Sequence, residues 1–199
     1  MTEVHLYEFR LGGRGHTPSW EWLSAGDVDR AESIAAPGAR MRFVARRSEL
    51  RRILAGYAPG RSLFFNTSDS GDVGVVAIAA RPVGVDVEIE TDRRRAERIA
   101  ARMFAPEERR LLEGLDDDAR RRLFHRCWVA KEAYAKGRGA GLAMRFDGFS
   151  VAPALRSASG TGAVGRGWTV AVRSRGERHL AIAALGDDWK VVRREACRG

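Results

Sequence analysis

The sequence predicts a mixed α/β (α+β) fold built from two similar α/β halves. Short runs of small and β-branched residues indicate buried strands, and long arginine-rich segments with apolar faces indicate amphipathic helices. The apolar run at 75–80 is also repeated almost letter for letter at 179–184, each time downstream of an arginine-rich helix. Such runs can recur by chance, because buried strands draw on few residue types, but the repeat fits two similar halves.

The elements follow from hydrophobic periodicity and from turn residues. A polar segment at 66–72 is predicted to be a turn, and a Gly- and Ser-rich segment at 157–167 a loop. Pro106 is placed to open a short helix. The predicted helices cover 39–57, 93–104, 106–114 and 118–136, and the predicted strands cover 73–80, 83–90, 149–151, 168–173, 179–184 and 189–193. The resulting domain division is an N-terminal subdomain over 1–82 and a C-terminal subdomain over 83–199.

The charge of the chain indicates an anionic partner. The formal net charge is +9, which suits nucleic acid, a phosphate-rich cofactor or an acidic protein. Only Lys131, Lys136 and Lys190 are lysines among the 35 basic residues, and two of them lie within one short segment. A lysine offers compact charge and a reversible proton, which arginine does not, so this pair is a candidate for chemistry.

Several classes of protein are disfavoured. No stretch approaches the roughly 18 to 20 apolar residues that span a bilayer, and the N-terminus lacks the pattern of a signal peptide. Cys127 and Cys197 lie far apart and form no metal-ligand spacing, so both are expected to be reduced and without a functional role. We therefore expect a cytoplasmic protein without a membrane segment.

Acidic residues alternate with apolar ones in the strand predicted at 83–90. Asp86 and Glu88 therefore project from the same face, with Cα atoms about 7 Å apart. Two carboxylates at that spacing can share a hard cation such as Mg²⁺. An amphipathic strand with its charges in water would look the same, and it is the simpler interpretation of this pair alone.

A second group lies on the helix predicted at 118–136. Trp128, Glu132 and Lys136 are spaced by four residues and so share one side of that helix. A surface ion pair beside a core tryptophan is the simpler interpretation of this segment alone. Together with Asp86 and Glu88, however, it predicts a metal site with a general base and a cationic partner, which suits phosphoryl transfer.

Two motifs resemble the signatures of the Sfp-type 4′-phosphopantetheinyl transferases. They are GVDVE at 84–88 and WVAKEAYAKGRGAGL at 128–142. Between and after them, IAARMFAPEE at 99–108 and FDGFSV at 146–151 are similar to further family segments. The resemblance is strong over 62–151 and weaker in the first 60 residues and in the final strands.

The resemblance implies a fold of two similar α/β subdomains related by a pseudo-twofold axis. It implies transfer of the 4′-phosphopantetheine arm of coenzyme A to a serine of an acidic acyl or peptidyl carrier protein, with release of 3′,5′-ADP. Asp86, Glu88 and Glu132 would bind Mg²⁺, with Glu132 as the base and Lys136 on the phosphates. Cofactor contacts would come from Arg30, Arg42, Arg61, Ser68, Asp69, Lys131 and Lys136.

Three features depart from the family pattern. Asp69 stands where the family has a histidine that contacts the phosphates, so that its sign is wrong for that role. The segment 54–64 is short and lacks a customary lysine, for which Arg61 would substitute. Arg30 matches a basic position near the 3′-phosphate, whereas Asp27 falls near another. These departures keep open a repurposed member of the fold that binds a carrier protein or a different cofactor.

A nucleic-acid-binding protein or Mg²⁺-dependent nuclease is a further alternative. The arginine excess and the clustered acids favour it. Such nucleases often carry an acid followed by a Glu-x-Lys pattern, whereas Glu88 and Glu90 lead here to Asp92 with no lysine. We therefore expect nucleic acid not to be the partner.

Overall fold

The computed structural model describes residues 2–12, 19–60, 62–91, 96–141 and 144–195. The strands in these ranges are β1 (Thr2–Arg10), β2 (Phe64–Ser70), β3 (Val73–Ala79), β4 (Val83–Ile89), β5 (Thr161–Gly165), β6 (Trp168–Arg175), β7 (Arg178–Leu185) and β8 (Trp189–Arg194). The α-helices are α1 (Ala25–Glu32), α2 (Pro37–Ala55), α3 (Ala96–Met103), α4 (Pro106–Leu112), α5 (Asp117–Gly137) and α6 (Ala152–Arg156). None of the helices in these ranges is both long and apolar enough to cross a membrane.

Two four-stranded sheets organise the chain. The first sheet has the order β2-β3-β1-β8 and the second the order β4-β7-β6-β5. All pairs are antiparallel except β1 with β8, which run parallel. The predicted mixed α+β class is thereby confirmed, and its strands form two sheets.

The apolar residues place the sheets between two long helices. Helix α2 packs on the first sheet through Leu50 and Ile53, which meet Val76 and Ile78 of β3. Helix α5 covers the second sheet around Ala181 of β7. The other faces of the two sheets pack on each other in a core of small and β-branched residues: Val4, Leu6, Val75, Ala77, Ala79, Val83, Val85, Val87, Ile182 and Ala184. The buried strands predicted at 73–80, 83–90 and 179–184 are confirmed as β3, β4 and β7, whereas β1, which supplies Val4 and Leu6, was not predicted.

The two strands that carry the sequence repeat are β3 and β7. Each lies inside its sheet, β3 between β2 and β1 and β7 between β4 and β6. This position explains why both are made of small apolar residues, since both faces of each strand are covered. The pseudo-twofold relation and the boundary at residue 82 stay predictions, and β8 from the C-terminal part completes the sheet of the N-terminal part.

Strand β2 is polar because its side chains join the two sheets. The Val85 backbone N–H donates to Asn66 Oδ1 at 3.2 Å, and the Ile89 N–H donates to Ser70 Oγ at 3.0 Å. The prediction of a turn over 66–72 is therefore wrong for most of that segment, and the turn is confined to Gly71 and Asp72. Polar residues here replace a backbone ladder between β2 and β4, so the usual strand pattern is missing.

Two further predictions are corrected in the C-terminal part. No strand occurs at 149–151, because side chains bind that backbone: the Val151 N–H donates to Glu108 Oε1 at 2.7 Å. The segment 157–167, predicted to be a loop, contains the short edge strand β5. Its glycine-rich sequence has low strand propensity, so the strand was not predicted. Helix α1, which was not predicted, begins with a capping box between Ser24 and Asp27.

Strand β4 and helix α5 approach each other where both carry a glycine. A Cβ atom on Gly84 would lie 2.0 Å from the carbonyl oxygen of Ala133 and 2.3 Å from the backbone nitrogen of Gly137. Such distances are far below van der Waals contact, so only glycine permits this approach. The contact sets the distance between the acids of β4 and the side chains of α5.

We expect Gly84→Ala to lower the free energy of unfolding by about 3 kcal/mol or more, since backbone atoms must separate to admit the methyl group. Chemical denaturation monitored by circular dichroism measures this change. Gly38→Ala is the matched control, because a Cβ there meets nothing within 4 Å and the position is helical. Equal stability of the two variants would contradict the packing described here.

Candidate active site

A cleft of about 390 Å³ lies where β2, β4, α2 and α5 meet. Its position follows from the strand joint described above, because β2 and β4 present polar side chains next to the C-terminal half of α5. The residues that line it are Arg46, Thr67, Ser68, Asp69, Asp86, Val87, Glu88, Trp128, Glu132 and Lys136. The structure thus brings Asp86, Glu88, Glu132 and Lys136 into one cavity.

Asp86 is the most buried carboxylate of the cleft. It is 5 % exposed, and its Oδ1 accepts hydrogen bonds from Lys136 Nζ and from Ser68 Oγ, both at 2.7 Å. Its Oδ2 is buried and has no hydrogen-bond partner within the described ranges. Burial raises the pKa of Asp86 above its usual value, although the Lys136 ammonium opposes the shift. The carboxylate is therefore half satisfied, with one oxygen available to a further partner.

The other two acids reach the cleft from different elements. Glu88 lies two residues beyond Asp86 on β4 and accepts a hydrogen bond from Ser70 Oγ at 3.2 Å. Glu132 lies one helical turn before Lys136 on α5. The shared face of β4 and the shared stripe of α5, both expected from the sequence, account for this convergence.

The side chains of the cleft match a hard divalent cation in charge and donor type. Four carboxylates against two cationic side chains leave a formal charge of −2 on its walls. Carboxylate oxygens are the ligands that Mg²⁺ prefers, and Asp86 Oδ2 is a buried carboxylate oxygen that accepts no hydrogen bond within the described ranges. The described residues contain no ready-made cluster of three His, Cys, Asp or Glu ligands, and Lys136 forms an ion pair with Asp86. Metal binding thus requires these side chains to move.

Asp69 is neutralised by two arginines of α2. Arg46 Nη1 lies 2.7 Å from Asp69 Oδ1, and Arg42 Nη2 lies 3.2 Å from Oδ2. The group of three carries a net charge of +1 rather than −1. The expectation that Asp69 makes this position repel phosphate is corrected, because a sequence comparison cannot see the two arginines across the β2–α2 contact.

A second, basic cavity of about 400 Å³ adjoins the cleft, and Arg46 and Thr67 line both. Arg30 of α1 and Arg47 of α2 also line it. Asp27, which falls near a basic position of the family pattern, forms ion pairs with Arg47 and Arg51. Their Nε atoms lie 2.7 and 2.6 Å from the carboxylate oxygens of Asp27. Burial raises the pKa of Asp27, but hydrogen bonds from Ser24, Arg47 and Arg51 outweigh it and hold the pKa well below its usual range. The basic cavity thus suits a phosphate group.

Lys131 does not line the cleft, which corrects the expectation from the sequence. Its side chain is fully buried, and Nζ lies 2.8 Å from Glu108 Oε2. It also donates to the carbonyl oxygens of Phe146 and Phe149 at 2.6 and 2.8 Å. The lysine therefore connects α5 to α4 and to the segment 146–149, and its charge is used in the core.

The sequence predictions at Arg61, Leu142 and Cys197 concern residues outside the described ranges. Cys127 is buried as an unpaired thiol, and burial raises its pKa well above the usual value. Sequence reasoning missed Arg46 and Thr67 as lining residues. The spacing of Arg42 and Arg46, four residues apart on one helix, was the available signal for Arg46.

Comparison with known proteins gives a consistent result. The chain is 34 % identical over 145 residues to the 4′-phosphopantetheinyl transferase HetI of a Nostoc species, covering 61 % of each chain. It is 36 % identical over 87 residues to the 4′-phosphopantetheinyl transferase Sfp of Bacillus subtilis, covering 44 % of this chain and 38 % of that protein. It is 32 % identical over 84 residues to the 4′-phosphopantetheinyl transferase AcpT of Escherichia coli, covering 42 % of this chain and 43 % of that protein. The matched regions thus span less than two thirds of these relatives.

A family model for the 4′-phosphopantetheinyl transferase superfamily matches residues 82–183, slightly more than half of the chain. The matched range contains Asp86, Glu88 and Glu132, three of the four acids of the cleft, and Lys136. It also contains Gly84, which sets the approach of β4 to α5. The chain therefore belongs to the 4′-phosphopantetheinyl transferase superfamily.

Proposed function

We propose that the protein transfers the 4′-phosphopantetheine arm of coenzyme A to a serine of an acyl or peptidyl carrier protein, with Mg²⁺ in the cleft and 3′,5′-ADP as the leaving product. The observation that carries this proposal is the juxtaposition of an acidic cleft and a basic cavity that share Arg46 and Thr67. A diphosphate bound to a divalent cation needs negative charge at the metal and positive charge at the remaining phosphates. Membership of the family supports the same conclusion.

Three of the four acids of the cleft would hold the metal. Asp86, Glu88 and Glu132 are the proposed ligands, and a bound Mg²⁺ would offset the charge that develops on the diphosphate. Asp86 Oδ2 is the strongest single argument for a ligand here, because a buried carboxylate oxygen without a partner is costly. Lys136 would then exchange its contact with Asp86 for the phosphate oxygens.

Glu132 is the proposed base for the carrier serine. The serine oxygen forms a bond to phosphorus, the bond from phosphorus to the leaving phosphate oxygen breaks, and the hydroxyl proton passes to the Glu132 carboxylate. Glu132 lies on the cleft wall formed by α5, across from the acids of β4. Lys136 and Arg46 would stabilise the negative charge of the leaving nucleotide.

Two surfaces would recognise the substrates. Arg30 and Arg46 line the basic cavity, and Arg42 holds Asp69 beside it, so these groups would bind the phosphates of coenzyme A. The net charge of +9 would favour docking of an acidic carrier protein. Family membership favours this partner over nucleic acid.

The proposal predicts a covalent product. Incubation with coenzyme A, Mg²⁺ and an apo carrier protein should add one phosphopantetheine group to the carrier, observed by intact-mass spectrometry. Removal of the metal with a chelator should stop the reaction, and restored Mg²⁺ should recover it. Full transfer in the presence of chelator would refute the metal role.

A negative result would separate the alternatives. If several apo carriers bind the protein but none gains a phosphopantetheine group, the protein is a repurposed member that binds carriers without ordinary transfer. If no carrier binds or reacts, a different partner is required.

A further inference from the structure

A larger cavity of about 780 Å³ lies between the two sheets, away from the strand joint. The sheets are held together where β2 lies beside β4, whereas β8 and β5 occupy the opposite edges. The cavity opens between β8 of the first sheet and β6 of the second. We call it the wedge pocket. Its lining comes from β1, β3, β4 and β5 to β8 and from the segment between β7 and β8.

The inner part of the wedge pocket is apolar. Its floor belongs to the core between the sheets, where Leu6, Val75 and Ile182 are buried. Ala171 of β6 and Val191 of β8 also line the pocket, and Val191 is 38 % exposed. The volume falls within the range of about 300–1,000 Å³ that is typical of small-molecule sites, and eight of the eighteen lining residues are apolar. Leu6, Val75 and Ile182 are packed within the core, so the apolar surface that a ligand can reach belongs to Ala171, Leu180, Trp189 and Val191, and this surface suits a hydrocarbon chain.

The rim of the wedge pocket is basic. Five cationic side chains line it, and Lys190 among them is paired with Glu3 at 3.4 Å, so that the formal excess over the three acids is +2: Arg173, Arg175, Arg178, Lys190 and Arg193 against Glu3, Glu8 and Asp187. Glu8 of β1 forms ion pairs with Arg178 of β7 and Arg193 of β8. Their Nη1 atoms lie 3.1 and 3.3 Å from the carboxylate oxygens of Glu8. Cations from both sheets thus converge on a carboxylate at this rim, and the charge excess leaves room for a second anion.

We propose that the wedge pocket binds a single-chain amphipathic anion of the fatty carboxylate class, with the chain between the sheets and the carboxylate on the arginine rim. The site shares no charged residue with the acidic cleft, and its occupancy does not depend on the proposed transfer reaction. The apolar lining and the cationic rim together select this class of ligand. A neutral hydrocarbon would make no ion pair with the rim, and a polar anion would leave the apolar lining in contact with water.

Isothermal titration of the full chain with octanoate, decanoate and laurate, below micellar concentrations and without coenzyme A or carrier, tests the proposal. We expect one site. Its affinity should rise by about fourfold for each added methylene group that contacts the apolar lining of the pocket. Dodecyltrimethylammonium, with the same chain and the opposite charge, should not bind. Quenching of Trp189 fluorescence by laurate, lost in Trp189→Phe, should report the location.

Two variants localise the binding. Arg175→Glu should weaken laurate by about fivefold or more, the weight of an exposed ion pair, whereas Arg156→Glu on α6 makes the same change in net charge and should leave affinity unchanged. Ala171→Phe should abolish binding by filling the pocket, with the melting temperature as the check on folding. Absence of binding, equal weakening by both charge variants, or equal affinity for the cationic amphiphile would overturn the proposal. The transfer assay stays independent of every one of these outcomes.

Discussion

Glu132→Gln is expected to lower the rate of phosphopantetheine transfer by about 10²–10⁴-fold, the usual contribution of a general base. Glutamine keeps the shape of the side chain and removes its negative charge and its capacity to take a proton. The same change removes one proposed metal ligand from a cleft with a formal charge of −2. We therefore expect a lower kcat and a higher Mg²⁺ requirement, and a nearly unchanged free energy of unfolding.

Initial rates of carrier modification, measured at several Mg²⁺ concentrations, test this expectation. Glu113→Gln is the matched control, because Glu113 is exposed at the end of α4, outside the cleft. A variant at Glu132 that transfers at the wild-type rate would assign the base to another group. A rate that high Mg²⁺ fully restores would leave Glu132 as a metal ligand and remove it as the base.

Lys131→Met is expected to lower the free energy of unfolding by roughly 3–5 kcal/mol, the cost of leaving one partner of a buried ion pair uncompensated. The variant leaves the Glu108 carboxylate in the core without its cation and frees the carbonyl oxygens of Phe146 and Phe149. Methionine fills most of the volume, so the effect reports charge and hydrogen bonding rather than a cavity.

Urea denaturation of wild type and variant measures the loss, with Lys190→Met as the control at an exposed lysine. Glu108→Gln combined with Lys131→Met should recover part of the stability, because the double variant no longer buries a lone charge. Unchanged stability together with a raised KM for coenzyme A would instead return Lys131 to the active site, as the sequence suggested.

The acids of the cleft were predictable because they depend on short-range periodicity. Asp86 and Glu88 share a strand face, and Glu132 and Lys136 share a helix stripe, whatever the rest of the chain does. The strands β3, β4, β6 and β7 were predictable for the same reason, since each is apolar enough to reveal its burial. Strand β2 was not, because its Asn and Ser residues bind the neighbouring sheet and resemble a turn.

The short-range periods of the sequence predict the mixed α+β class, the acidic pair of β4 and the stripe of α5, but they do not reveal β1, β2 or β5. Which charges act in the cleft depends on the tertiary structure. Lys131 and Lys136 lie in the same motif, yet Glu108, 23 residues before Lys131, draws the first into the core while Asp86 holds the second in the cleft. Asp69 likewise changes from an unfavourable anion to part of a cationic group through Arg42 and Arg46 of α2. Charge depends on long-range neighbours, and a local pattern does not specify them.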